Sequence, residues 1–410
     1  MSATNRRRRG FLRSLALLFI ACLLAAPAGA FAQQATPAGG KTLVGAFDAG
    51  PGGCPECFNP LTATAGFTWL EKYYSKLVLY DVDFTKIQGD LAESWEIAPD
   101  GKTYTFKLRP GVTWHDGQPF TAADVKFTIE LAKNPDSASY IGAKFNGVSS
   151  IDTPDDQTVV LHLDKPNAAL LDALTFLVML PKHALESIAP KDLVKSDWWH
   201  TDPIGTGPFK WSQYKPGQYV ELTAFDNYWR GRPKIDTLID RFYPEAGSSV
   251  IALRAGEIGF TYLTADEAKS LGDDAAIKVL SGPSQVANYL GFNMTDPRFK
   301  DVRVREAFMY AIDRKAIVDQ LYGGSATVIP CVFHQPQFQP EQVNAYAPDP
   351  AKAKQLLQEA NWNQIKGQPI EVVTYYGDQL SNDVLVTMQQ MLADVGIDIT
   401  IRTVDTPTFN

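Results

Sequence analysis

Hydrophobic and polar residues recur along this chain with two different periods, which separate strands from helices. The two-residue period of half-buried strands, or short apolar runs bounded by turn residues, predicts strands over residues 41–47, 94–97, 103–108, 158–163, 209–213, 219–224, 235–242, 287–293, 371–375 and 398–403. The 3.6-residue period of helices, or a longer apolar run, predicts helices over residues 68–79, 121–133, 168–180, 248–255, 302–321, 350–359 and 382–395. Because strands and helices alternate along much of the chain, the predicted fold class is α/β.

Two short signals define particular elements more closely. Pro99, Asp100 and Gly101 are turn-forming residues between two strand patterns, so they predict a β-hairpin. Thr121 precedes a helical pattern with Asp124 at its third helical position, which predicts a variant of the capping box at the helix start.

The N-terminus has the order of regions found in a secretory signal peptide. Arg6–Arg9 precede an apolar stretch, Ser14–Leu24, and the small-residue tripeptide Ala30-Phe31-Ala32 follows. We expect residues 1–32 to be a signal peptide cleaved after Ala32 and residues 33–40 to be a linker. The arginines suit the twin-arginine route and the apolar stretch suits the general secretory route, so both export routes stay open.

Charge and length narrow the function classes. The 410 residues contain 38 Lys and Arg and 46 Asp and Glu, and five of the basic residues lie before residue 33. Cleavage would therefore leave an acidic chain, which repels phosphate backbones and excludes nucleic acid as an expected partner. No apolar run of 18 or more residues follows the signal, so no transmembrane helix is predicted there. The length predicts two or three domains.

Cysteines offer three alternatives. Cys54 and Cys57 form a C-x-x-C pattern among Gly and Pro residues, and in an oxidising compartment they are candidates for a local disulfide. Alternatively, Cys54 and Cys57 could bind zinc together with Cys331 and His334. Cys22 lies inside the apolar stretch of the signal, where a lipid anchor is a further alternative.

The sequence offers no convincing catalytic constellation. No G-x-S-x-G or H-E-x-x-H motif occurs, and the five histidines are scattered singly. His115-Asp116-Gly117 is interpreted as a turn, and the carboxylates Asp90, Glu93 and Glu96 as a solvated edge rather than a glycosidase pair. We therefore expect no catalytic residues, no metal and no cofactor.

A set of short motifs stands in a recognisable order. The most specific are residues 89–96 (GDLAESWE), 100–109 (DGKTYTFKLR) and 114–125 (WHDGQPFTAADV). They are joined by residues 205–209, 228–231, 254–258, 302–307, 311–314 and 351–357. In these motifs the chain from Lys41 to Asn410 resembles the extracellular solute-binding proteins of family 5, the peptide- and nickel-type receptors of ABC importers.

The resemblance implies a periplasmic-binding-protein-like fold of two lobes with an extra peripheral subdomain. Lobe one would comprise residues 41–74 and 201–283, the peripheral subdomain residues 75–200, and lobe two residues 284–410. Family members continue beyond this point into a segment whose aspartate pairs with the ligand's amino group. We therefore expect lobe two to be incomplete, truncated at the C-terminus.

The resemblance also implies a function and a binding site. The chain would be a periplasmic, monomeric substrate-binding component that captures a peptide-like solute and presents it to an ABC permease in the inner membrane. Oligosaccharides are the alternative ligand, a secreted hydrolase is the alternative class, and an extracytoplasmic chaperone or signalling receptor is a third. The expected ligand-binding residues are Thr64, Ala65, Gly66, Phe67, Tyr140, Tyr262 and Asn293.

Overall fold

Two large hydrophobic cores organise the computed structural model, which describes residues 40–47, 58–63, 67–243, 247–272, 274–282, 287–332, 343–377 and 379–404. The first core extends along the chain from Phe47 to Phe242, and the second from Phe299 to Ile399. Side chains of the predicted lobe one and peripheral subdomain share the first core, whereas the second core lies in the predicted lobe two. The domain boundaries themselves stay predictions.

Strands and helices alternate over much of the described chain. The strands are β1 Thr42–Ala46, β2 Val78–Tyr80, β3 Ile87–Gly89, β4 Ala92–Ile97, β5 Thr103–Leu108, β6 Val148–Asp155, β7 Thr158–Leu163, β8 Phe209–Lys215, β9 Tyr219–Ala224, β10 Thr237–Arg241, β11 Ile370–Thr374 and β12 Ile399–Thr403. The α-helices are α1 Phe67–Leu70, α2 Ala122–Lys133, α3 Leu170–Leu174, α4 Lys182–Leu185, α5 Pro190–Leu193, α6 Trp198–Thr201, α7 Ser248–Arg254, α8 Ala265–Leu271, α9 Val302–Ala311, α10 Arg314–Gln320, α11 Pro350–Glu359, α12 Trp362–Ile365 and α13 Gln379–Ala393. Within the described residues, no helix has both the length and the apolar character needed to cross a membrane.

Each predicted domain has its own sheet. Lobe one contains a four-stranded sheet in the order β1-β10-β9-β8, in which β1 and β10 are parallel. The peripheral subdomain contains the antiparallel sheet β4-β5-β7-β6 and the small hairpin β2-β3. Lobe two pairs β11 with β12 in parallel. The α/β class is thereby confirmed.

Local sequence signals predicted the correct elements where the interacting residues are close together in the chain. The Pro-Asp-Gly turn joins β4 to β5 as an antiparallel hairpin. The capping box also forms, because the carboxylate of Asp124 accepts the backbone N–H of Thr121 at 2.9 Å, at the start of α2. Helix α2 then ends at Lys133, as predicted.

Two predicted long helices are wrong because tertiary hydrogen bonds take over their backbones. In place of a helix over 68–79, α1 ends at Leu70, and the next residues bond to distant segments: the carbonyl of Lys72 accepts the N–H of Phe209, and that of Ser75 accepts the N–H of Met179. The predicted helix 168–180 is also not continuous. Its last residues are extended instead, because Val178 pairs with Lys76 as an antiparallel bridge. Only residues 170–174 of that stretch form an α-helix.

Two further predictions in lobe two are corrected. The predicted helix 302–321 is divided into α9 and α10 because Ile312 has an extended backbone and Asp313 caps a new helix, accepting the N–H of Ala316 at 2.9 Å. The predicted strand 287–293 finds no strand partner among the described residues. Leu290 and Phe292 nevertheless pack on the second core.

Asp90 contradicts the interpretation of three carboxylates as a solvated edge. Glu93 and Glu96 are exposed, but the side chain of Asp90 is buried between the peripheral subdomain and lobe one. Its Oδ1 accepts Nη2 of Arg230 at 2.8 Å, and its Oδ2 accepts the backbone N–H of Lys76 at 2.8 Å. A buried carboxylate needs such partners, which the local sequence pattern does not reveal.

Candidate functional site

The parallel strands of lobe one end at one edge of its sheet. Ala46 at the end of β1 is paired with Arg241 at the end of β10, and the aromatic residues Phe47 and Phe242 follow, with ring centroids 4.6 Å apart. In open α/β sheets, ligands bind outside the carboxyl ends of the strands. We therefore take this carboxyl edge of lobe one as the first wall of the candidate site.

A short extended segment adds to the outer side of β1 at the same edge. The N–H of Gly259 donates to the carbonyl of Val44 at 2.7 Å, and the N–H of Ala46 donates to the carbonyl of Phe260 at 3.1 Å. The ring of Phe260 lies across Gly45 so closely that a Cβ on Gly45 would be 2.1 Å from it. Glycine at position 45 is therefore what lets this segment pack on β1.

Tyr262, a predicted ligand residue, follows this segment directly. It lies two residues beyond Phe260 at the carboxyl edge, and 49% of its surface is exposed. The structure thus places an accessible aromatic ring beside the strand ends. Contact between Tyr262 and ligand stays a prediction.

Tyr140 lies next to the loop that precedes another group of predicted ligand residues. Its backbone N–H donates to the carbonyl of Leu61 at 3.0 Å. The loop is anchored by Asn59, whose Oδ1 accepts the N–H of Leu61 at 3.0 Å and whose Nδ2 donates to the carbonyl of Val194 at 3.3 Å. Burial raises the pKa of Tyr140 to about 12, although part of its ring stays exposed.

The structure describes little of the predicted ligand residues that follow this loop. Thr64, Ala65 and Gly66 lie outside the described residues, and Phe67 is described only as the first backbone position of α1. Tyr140 itself is bonded to Leu61, a described residue of the preceding loop. Their contact with ligand stays a prediction.

Asn293 is exposed and folds back on its own chain. Its Oδ1 accepts the backbone N–H of Thr295 at 3.0 Å and the hydroxyl of the same residue at 2.7 Å. This local turn engages the side-chain oxygen of Asn293 within its own chain segment. The structure does not group it with Tyr140 and Tyr262 by any direct bond between the described residues.

Two buried aromatic residues flank the cysteine pair in the sequence. Cys54 and Cys57 themselves are outside the described residues. Phe47 and Phe58, which flank the segment that contains them, are both buried, and their ring centroids are 6.2 Å apart. Phe47 and Phe58 therefore lie close together at the carboxyl edge of lobe one.

Lobe two has an aromatic pair that the sequence analysis did not single out. Tyr375 and Tyr376 follow β11 directly, at the carboxyl end of the parallel pair β11 and β12. Their ring centroids are 4.3 Å apart and their hydroxyl oxygens 3.0 Å apart, while 40% and 43% of the two residues is exposed. Two adjacent tyrosines directly after a strand were the signal that could have indicated this site.

His115 is a buried structural residue. Its Nδ1 accepts the N–H of Gly205 at 3.1 Å, and its Nε2 lies 3.1 Å from the carbonyl of Gly207, which fixes the neutral tautomer with the proton on Nε2. Burial lowers the pKa of His115 to about 4. The turn predicted for this motif forms, with Gly117 at φ +90°.

The other described histidines bond to carboxylates. Nε2 of His183 lies 2.8 Å from Oδ2 of Asp116, and His162 is paired with Asp152. His200 lies 3.4 Å from Asp197. Within the part of the chain that the structure describes, no group of three or more His, Cys, Asp or Glu residues could hold a metal ion.

The sequence of this chain matches a known protein family and its members. The family model described as bacterial extracellular solute-binding proteins, family 5 Middle, matches residues 86–410. A protein of Brucella ovis, named as a candidate ABC transporter peptide-binding protein, is 50% identical over 405 residues, which cover 98% of this chain and 76% of that protein.

Solved structures agree with this match. The ABC transporter substrate-binding protein CtaP of Listeria monocytogenes is similar with a TM-score of 0.76 and 29% identity, over 90% of this chain and 75% of that one. The oligopeptide-binding protein AppA of Bacillus subtilis, in complex with a nonapeptide, is similar with a TM-score of 0.74 and 29% identity, over 90% and 76% of the two chains.

Proposed function

Because the chain belongs to family 5 of the bacterial extracellular solute-binding proteins, we propose that it binds a peptide-like solute for an ABC importer. In this role it captures the solute between its two lobes in the periplasm and presents it to the permease in the inner membrane. The family and the relatives are binding proteins rather than enzymes.

The proposal is supported by a feature that both lobes have. Each lobe has parallel strands whose carboxyl ends carry exposed aromatic residues, Tyr262 in lobe one and Tyr375 with Tyr376 in lobe two. A ligand held between such edges would meet strand termini and aromatic residues from both lobes.

The connection between the cores supports a closing motion. Residues 274–282 and 287–289, which lie between α8 and the residues that pack on the second core, contain neither helix nor strand. Such a connection can absorb the changes in φ and ψ that a hinge motion requires. Ligand would then stabilise the closed form in proportion to its additional contacts there.

Two alternatives make different predictions. An oligosaccharide could use the same exposed tyrosines as stacking faces, with the same transport role. A secreted hydrolase would need an activated nucleophile, whereas the four described histidine side chains bond to carboxylates or backbone. Peptide is favoured by the nonapeptide bound to the Bacillus relative.

The test is stoichiometric binding without turnover. The purified exported protein is titrated calorimetrically with di- to pentapeptides and with matched oligosaccharides, and the ligand is recovered afterwards and analysed by mass spectrometry. We expect one peptide per chain, recovered intact. Saturable sugar binding in the absence of peptide binding would favour the alternative ligand, and accumulation of cleaved peptide over many equivalents would contradict the receptor function.

Substitutions locate the site in the same assay. Tyr140→Ala and Tyr262→Ala should each weaken peptide binding about 3-fold to 10-fold if the rings touch ligand. Phe176→Ala, at an equally exposed aromatic residue of the peripheral subdomain, is the control and should have no effect. Unchanged binding by both tyrosine variants would remove these two residues from the site.

The periplasmic location is tested by fractionation of the producing cells. We expect cleavage after Ala32, which shows as an N-terminus at Gln33, and release with the periplasmic fraction. Retention in the membrane fraction with a lipid on Cys22 would replace the freely diffusing form by an anchored one.

A further inference from the structure

A buried ion pair lies at the carboxyl edge of lobe one. Nζ of Lys72 donates to Oδ2 of Asp240 at 2.6 Å, and only 17% and 1% of the two side chains is exposed. Asp240 is the next-to-last residue of β10, and Lys72 follows the end of α1 by two residues. Two charges withdrawn from water in this way must stay together, because separation would leave an uncompensated buried charge. The ammonium group of Lys72 is therefore fixed relative to β10.

The same ammonium group lies near the ring of Phe260. Asp240 is paired with Gly45 of β1 in parallel register, so the two positions are neighbours on one face of the sheet. Gly45 leaves its side-chain space to Phe260, whose ring lies 2.1 Å from the place of a Cβ on residue 45. Nζ of Lys72 is 5.5 Å from the centroid of this ring, a distance at which a cation and an aromatic face attract each other. Lys72 thus interacts with β10 and with the segment that packs on β1.

Lys72 connects two regions that contain predicted ligand residues. Phe67, the first residue of α1, lies five residues before it, and Tyr262 lies two residues beyond Phe260. The backbone of Lys72 is itself held, because its carbonyl accepts the N–H of Phe209 at the start of β8 at 3.0 Å. With a fixed backbone and a paired ammonium group, Lys72 can define where the ring of Phe260 packs.

We propose that Lys72 is a positioning residue of the peptide site. Its ammonium group, held by Asp240, keeps Phe260 packed on β1 and thereby sets the place of Tyr262 at the carboxyl edge of lobe one. Lys72 acts on peptide affinity through Tyr262 rather than by contact with the peptide. This inference rests on the proposed function and on the predicted contact between Tyr262 and the peptide.

The first experiment observes Tyr262 in the absence of peptide. The purified exported protein is labelled with 3-fluorotyrosine, and the fluorine NMR resonance of Tyr262 is identified as the one that Tyr262→Phe removes. Lys72→Met, which removes the charge and keeps an unbranched side chain, should shift this resonance by more than its line width. Lys72→Arg retains a cation for the carboxylate and the ring, so its resonance should stay closer to that of the wild type.

Lys76→Met is the matched control for a lost ion pair. The side chain of Lys76 is exposed to a similar extent, 15%, and it is paired with Glu71 at 2.5 Å, five residues away in the chain. Its loss should leave the Tyr262 resonance in place. A resonance that does not move in Lys72→Met, or that moves equally in Lys76→Met, would overturn the inference. Circular dichroism checks that each variant is folded, and Lys72→Gln, which keeps a hydrogen-bond donor for Asp240, replaces Lys72→Met if that variant does not fold.

The second experiment measures peptide affinity by calorimetry with the tightest-binding member of the di- to pentapeptide series. Lys72→Met should weaken binding about 3-fold to 10-fold, as expected for Tyr262→Ala. In the Tyr262→Ala background the same substitution should weaken binding by less than about 2-fold further, because a residue that acts through Tyr262 has nothing left to position. Equal losses in both backgrounds would show that Lys72 acts independently of Tyr262 and would overturn the inference.

The two experiments separate this inference from the proposed function. If the wild-type protein binds no peptide of the series, the proposed function fails and the inference fails with it. If the wild-type protein binds peptide and Lys72→Met leaves both the Tyr262 resonance and the affinity unchanged, the inference alone is overturned.

Discussion

Nη2 of Arg230 donates to Oδ1 of Asp90 at 2.8 Å, and this ion pair joins lobe one to the peripheral subdomain. The indole of Trp229 lies between two guanidinium groups, 4.5 Å from Arg109 and 4.4 Å from Arg230. Burial raises the pKa of Asp90 even though the Lys76 N–H and Arg230 lower it. The ion pair with Arg230 therefore includes a carboxylate, Asp90, whose burial disfavours its charged form.

Removal of Arg230 should destabilise the protein. In Arg230→Met the buried carboxylate loses its cationic partner, so we expect a loss of about 1–3 kcal/mol in the free energy of unfolding, measured by urea denaturation at pH 7. Arg232→Met is the matched control. Arg232 has the same side-chain exposure, 43%, but bonds to Asp226 and Asp236 on the surface, so its loss should cost less than about 1 kcal/mol. Equal losses in both variants would contradict a special role of the buried pair.

His115 should make the protein less stable in mild acid. Its pKa is about 4 in the folded protein and 6.5 in the reference state, so the unfolded chain binds the extra proton. Its contribution is fully present above pH 6.5 and is lost as the pH falls toward 4. Between pH 7 and pH 5 this amounts to about 2 kcal/mol of unfolding free energy.

Urea denaturation of the wild type and of His115→Gln at both pH values isolates this contribution. The difference in stability between pH 7 and pH 5 should be smaller in His115→Gln by about 2 kcal/mol. The same pH dependence in wild type and His115→Gln would show that His115 titrates normally.

Gly45→Ala should disturb the carboxyl edge of lobe one. A Cβ at this position would lie 2.1 Å from the ring of Phe260, so the segment that leads to Tyr262 must shift. We expect a loss of about 1–3 kcal/mol in stability together with weaker peptide binding. Gly147→Ala, where an added Cβ meets no atom within 4 Å, is the control. Wild-type melting temperature and affinity in Gly45→Ala would contradict the close packing of Phe260 on β1.

Cys54 and Cys57 are expected to form a local disulfide in the exported protein. Intact-mass analysis before and after reduction should show a gain of two hydrogen atoms, and Cys54→Ser should abolish that gain. Two free thiols that bind stoichiometric zinc would instead support the metal alternative.

Sequence patterns were sufficient where the determining interaction is local. The hairpin β4-β5 follows from Pro99, Asp100 and Gly101, and the start of α2 from Thr121 and Asp124, because turn geometry and helix capping involve residues only a few positions apart. The ordered motifs gave the family, which the match over residues 86–410 confirms.

The candidate site was predictable only in part. Tyr140 and Tyr262 were chosen by resemblance, and the structure puts Tyr140 beside the Leu61 loop and Tyr262 beside the end of β1. Tyr375 and Tyr376 were missed. Their arrangement depends on ring stacking and on the hydrogen bond between Thr374 and Tyr376, and neither interaction produces a periodic pattern in the sequence.

By itself, the sequence determined the α/β class, the local turns and caps, and the family of this protein. Tertiary structure alone decided that Ser75 and Lys76 leave helical geometry to pair with Val178 and Met179, and that Asp90 is buried against Arg230. The physical reason is the same in each case. A backbone or carboxylate group withdrawn from water must find a partner, and in these cases the partner lies more than a hundred residues away along the chain.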